Sequence, residues 1–139
     1  LGNTQAESLP IFSFRIKDGS GGYIPQQLVT RMLSDRFGIQ TRGGCACAGP
    51  YVHRLLHIDE AESRALRQVI AEGDEIRKPG FTRLNFSVLL PDDKVNFIIE
   101  SVAQLASDAT AFVDRYSVDV SRAIFFPRNA ETQVFSEAS

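Results

Sequence analysis

The apolar positions of this chain fall into two alternating runs and four stripes at helical spacing. In residues 11–16, IFSFRI, Phe12, Phe14 and Ile16 stand against Ser13 and Arg15, a period of two that predicts a strand with one apolar face. Residues 81–89 repeat the pattern, with Leu84, Phe86 and Val88 on one side and Arg83, Asn85 and Ser87 on the other. Between these runs the spacing changes. Leu28, Val29, Met32, Leu33 and Phe37 predict a helix that starts at Pro25 and is closed by Gly38 just past its C-terminus. Pro50 can open a short helix that turns Val52, Leu55 and Leu56 inward. Asp59 with Glu62 forms a start resembling a capping box for a third helix, which carries Ala61, Ala65, Leu66, Val69 and Ile70 and stops at Gly73. The longest stripe follows Pro91-Asp92-Asp93 and runs through Val95, Ile98, Ile99, Val102, Leu105, Ala109, Phe112, Val113 and Tyr116.

The joints are legible too. Residues 17–22, KDGSGG, read as a loop, residues 39–42 as a short extended piece, and residues 78–80, KPG, as a break. Long amphipathic helices with few strands predict an α+β fold, a two-layer sandwich in which a small, mainly antiparallel sheet is covered by helices on one face. The two longest strands are expected to be neighbours. Residues 1–9 read as a lead, 9–116 as the domain, and 117–139 as a tail with one apolar island, AIFFP.

Composition narrows the function classes. With 139 residues and 43% hydrophobic content, the chain can bury one core. A net charge of -2 without a Lys/Arg block gives no footprint for nucleic acid. No apolar run approaches the ~18 residues that would cross a membrane. The opening LGNTQAESLP lacks a signal-peptide layout and a starting Met, so the chain is expected to be a piece of a longer one. Two cysteines do not make a disulfide scaffold, and a reducing, cytoplasmic setting is expected.

Both cysteines sit in residues 41–50, TRGGCACAGP. Cys45, Cys47, His53 and His57 comprise every Cys and His of the chain, and the two histidines would share one helix face. A stand-alone metal-binding or interaction module is therefore one reading. The C-x-C spacing is not the C-x2–4-C of a zinc knuckle, however, and a structural-zinc domain usually lacks the core seen here. A Cys45–Cys47 disulfide would close a very tight ring. Two small buried hydrophobes in a loop form a third reading. Against it, Gly43 and Gly44 make an unshielded loop, and Arg42 could favour a thiolate.

The stretch GIQTRGGCACAGPYVHRLL (residues 38–56) resembles the C-terminal domain of class V aminotransferases, the fold-type I pyridoxal-phosphate group that includes the cysteine desulfurases. FTRLNFSVLLPDDKVNFII (residues 81–99) extends the resemblance, which covers roughly residues 9–116 in order. The resemblance implies that the parent enzyme holds pyridoxal 5'-phosphate as a lysine Schiff base in an N-terminal large domain, forms a homodimer and acts on a small amino-acid substrate. Arg83 matches the arginine that holds the substrate α-carboxylate, and Arg42 a second active-site arginine. Cys47 matches the desulfurase cysteine that carries the persulfide, while Cys45 departs from the plainest desulfurase pattern. Gly43, Gly44, Cys45 and His53 would support the loop; His57 matches no family position. The only lysines, Lys17, Lys78 and Lys94, lack the family's Ser/Thr-x-His-Lys context, so the chain alone is expected to bind no cofactor and to be inactive. A small domain cut from such an enzyme should expose the apolar surface that meets its large domain.

Overall fold

The computed structural model describes residues 9–44 and 49–128. Strand β1 (Ile11–Phe14) and strand β2 (Arg42–Gly44) both pair antiparallel with strand β3 (Phe81–Asn85), which lies between them. The two alternating runs of the sequence are thus neighbours, with Phe12 opposite Leu84 and Phe14 opposite Thr82. Directly opposed residues share a face. One face therefore carries Phe12, Phe14, Leu84 and Thr82, and the other Ile11, Ser13, Arg83 and Arg42.

Helix α1 (Gln26–Phe37) lies against the first face, and helix α4 (Asp92–Val113) packs beside α1. The core joins Leu28, Val29, Met32 and Leu33 of α1, Leu84 of β3, and Leu105 and Ala109 of α4, with Ile16, Ile24 and Ile39 at its margin. This is the expected two-layer α+β arrangement. Gly38 ends α1 at φ 67°, and the Ile39 N–H donates to the Leu33 carbonyl at 3.1 Å. Glycine takes that left-handed position at no Cβ cost. Helix α2 (Gly49–Leu55) buries Val52, and helix α3 (Glu60–Ala71) starts where the Asp59 carboxylate accepts the Glu62 N–H at 2.8 Å. Among the described residues no helix is long and apolar enough to cross a membrane.

Three expectations change. The second strand stops at Asn85, so Val88 leaves the apolar face and is 95% exposed. The α4 stripe ends at Val113, and Ile99 points to solvent. Beyond α4 the presumed tail opens with a hairpin, strand β4 (Tyr116–Asp119) antiparallel to strand β5 (Ile124–Pro127). The apolar island is its second strand, and Phe125 packs on the core against the α1 side. The domain therefore runs at least to Pro127.

Candidate functional site

Arg42 and Arg83 are direct cross-strand partners on the face of the sheet turned away from α1. β3 is the central strand, so Arg83 is half-buried, while Arg42 on edge strand β2 is exposed. Both line one small, open recess of about 40 Å3, completed by Gly43, Gly44 and Phe81. The two strands approach closely because Gly80 precedes Phe81: a Cβ there would stand 2.9 Å from the Gly44 carbonyl carbon. In the sequence KPG reads only as a break, and this role does not show directly. The signal was present, since a glycine beside a strand marks a close backbone approach.

Two like charges directly opposed on a sheet repel. Among the described residues, neither Arg42 nor Arg83 forms an ion pair; the pairs that do form are Arg31–Asp35, Arg77–Asp74 and Lys78–Glu75. The recess thus offers two planar donor forks and, among the described residues, no carboxylate of its own. A carboxylate is the complementary group, because it accepts two parallel charge-assisted bonds from a guanidinium.

The remaining sequence-derived candidates divide. Cys45 and Cys47 lie outside the described residues. His53 is on α2, half-buried, and its carbonyl accepts the Ile58 N–H at 2.9 Å. His57 does not share its helix face. The helix ends at Leu55, and His57 sits beyond it at φ 57°, with its N–H bonded to the Arg54 carbonyl at 3.3 Å. These two bonds make a Schellman closure in which His57 occupies the left-handed position usually given to glycine. The one-face histidine pair of the zinc reading is therefore absent. Among the described residues, no group of three or more Cys, His, Asp or Glu converges on a metal-sized point.

Pyridoxal phosphate requires an amine for its aldehyde and a carboxylate for its ring nitrogen. The residues lining the arginine recess include neither. Lys17 bridges to Tyr23 at the loop between β1 and α1, Lys78 pairs with Glu75, and Lys94 is exposed in the first turn of α4. The lining of this recess suits an anionic group and supplies neither of the groups that hold the cofactor. Comparison with protein-family models, curated proteins and solved structures finds no match to this chain.

Proposed function

We propose that this chain is the small C-terminal domain of a cytoplasmic pyridoxal-phosphate enzyme of the class V aminotransferase kind. In this reading Arg83, supported by Arg42, receives the α-carboxylate of a small amino-acid substrate. The observation that carries it is the cross-strand Arg42–Arg83 pair, which has no carboxylate partner among the described residues. When bound in the large domain, the cofactor supplies the electron sink. The present residues contribute position: a half-buried fork on a central strand fixes the carboxylate and hence the direction of the substrate's Cα.

A second feature supports the need for a partner domain. Leu9, Ile11, Phe12, Val88 and Leu89 are all exposed at the end of the sheet where β1 begins and β3 stops. An apolar group of this kind suits contact with the large domain, and dimerisation of the parent follows from the same reading.

The test uses the parent enzyme. Arg83→Ala should lower kcat/KM for the amino-acid substrate by much more than about tenfold, since a charge-assisted bidentate contact is worth at least ~1.4 kcal/mol. Arg83→Lys should recover only part of it, because an ammonium cannot reproduce the fork. A parent without bound cofactor, or Arg83→Ala with wild-type kinetics, refutes the assignment. Sulfide release from cysteine that disappears in Cys47→Ser would place the enzyme with the desulfurases; release that ignores Cys47 excludes a persulfide role.

A further inference from the structure

A second cationic site lies at the C-terminal end of α1, beside the β4–β5 hairpin. Arg36 in the last turn of α1, Arg115 between α4 and β4, and Arg128 after β5 line one cleft of about 590 Å3 with Phe112, Asp114 and Tyr116. The fold gathers them from three separate segments. The Arg128 N–H donates to the Arg115 carbonyl at 3.0 Å, which ties the end of the hairpin to its start. The Phe112 ring carries two guanidiniums, with Arg36 Cζ 3.6 Å and Arg115 Cζ 4.5 Å from its centroid.

The charges do not balance among the described residues. Asp35 is committed to Arg31 and to the Tyr116 hydroxyl, so among the described residues Asp114 is the single acid lining the cleft. None of Arg36, Arg115 and Arg128 forms an ion pair among the described residues. Arg36 Nη1 is also buried with no hydrogen-bond partner. Stacking on Phe112 accounts for the positions of the Arg36 and Arg115 guanidiniums, and Arg128 Nε donates to the Tyr116 carbonyl at 3.5 Å. Stacking does not offset a buried charged donor without an acceptor, which is expensive. Nor does it explain three like charges together on a chain of net charge -2.

We propose that this cleft is a binding site for a phosphate monoester. Three guanidiniums arriving from three segments suit a tetrahedral dianion, whose three terminal oxygens accept more of these donors than the two oxygens of a planar carboxylate. The cleft lies within the ~300–1,000 Å3 range of small-molecule sites. Pro127 and the uncovered part of Phe112 give an apolar wall for the organic part of the ester. The site is separate from the Arg42–Arg83 recess and independent of the reading given for it.

The test is a titration of the 139-residue chain with phenyl phosphate, inorganic phosphate and benzoate at low ionic strength, followed by NMR of the arginine Nε–Hε groups. Saturable shifts at Arg36, Arg115 and Arg128 are expected, with phenyl phosphate binding at least tenfold more tightly than benzoate. Arg115→Gln and Arg128→Gln are both exposed substitutions that leave the core intact, and each should weaken phenyl phosphate about tenfold. Asp114→Asn should strengthen it. Shifts confined to Arg42 and Arg83, equal affinity for benzoate, or unchanged affinity in both arginine variants would overturn the proposal.

Discussion

The Tyr116 hydroxyl donates to Asp35 Oδ2 at 3.2 Å, joining strand β4 to helix α1 across 81 positions of the chain. Asp35 also holds Arg31 at 2.8 Å, so one carboxylate ties the hairpin to the helix that floors the core. Tyr116→Phe should cost about 0.5–1.5 kcal/mol near neutral pH, measured by urea unfolding. Partial burial, and then the Asp35 charge, raise the Tyr116 phenol above its ordinary value. The folded state thus keeps the proton longer than the unfolded state does. The contribution is complete below about pH 10 and is lost as pH rises from there through the folded value. Wild type should therefore lose stability faster than Tyr116→Phe above that pH. Parallel profiles would show that the hydroxyl is not held by Asp35.

Leu105 sits at the centre of α4 with 0% exposure, surrounded by the α1 side of the core. Leu105→Ala removes buried methyl groups and leaves a cavity that two packed helices cannot fully close. A loss of about 2–5 kcal/mol is expected in denaturant unfolding. Val88→Ala is the contrast, because Val88 stands in solvent and its truncation should stay within about 0.5 kcal/mol. A large effect at Val88 would mean that the exposed group around β1 and β3 is already covered in solution.

Helix α3 has no fully buried residue, so its persistence rests more on local terms than that of α1 or α4. The Asp59 cap is one of these. Asp59→Ala should destabilise the helix by about 1 kcal/mol. The signature is local: amides of Glu60–Ala71 should exchange faster with hydrogen–deuterium exchange, while those of α1 and α4 keep their protection. Uniform acceleration would show that α3 unfolds only with the whole domain.

The elements that were legible in the sequence are those with local causes. The Gly38 stop and the Asp59 cap each act within four residues, and both appear where the pattern put them. The hairpin β4–β5 was hidden because its turn lacks the usual marks. Asp119 holds it by accepting from Ser121 Oγ and the Arg122 N–H, and Ala123 takes φ 52° without being a glycine. His57 misled for the same reason, since it occupies a left-handed cap that periodicity assigns to a helix face. The arginines were nameable one at a time, but their pairing was not. Arg42 faces Arg83 only because β2 aligns with β3 in one register, and that is a tertiary fact.

That register depends on Gly80. Its missing Cβ would meet the Gly44 carbonyl carbon at 2.9 Å, its oxygen at 3.0 Å and its Cα at 3.1 Å, all backbone atoms that cannot rotate away. Gly80→Ala must therefore push β2 off β3 or displace the start of β3. Overpacking of this kind costs roughly 1–3 kcal/mol. Among the described residues three pairs hold β2, the first of them Arg42↔Arg83, so displacement at Gly44 reaches the arginine pair. Gly73→Ala is the control. It faces open space, and its strain comes only from φ 101°, so it should destabilise without loosening β2. Faster amide exchange in β2 and at Phe81 and Thr82 is expected in Gly80→Ala, with the β1–β3 ladder unchanged. On the proposed function, the same substitution in a parent enzyme should also raise KM for the amino-acid substrate, because Arg42 leaves its place opposite Arg83. Normal exchange and normal KM would mean that the edge strand yields freely and that the pair does not depend on this close approach.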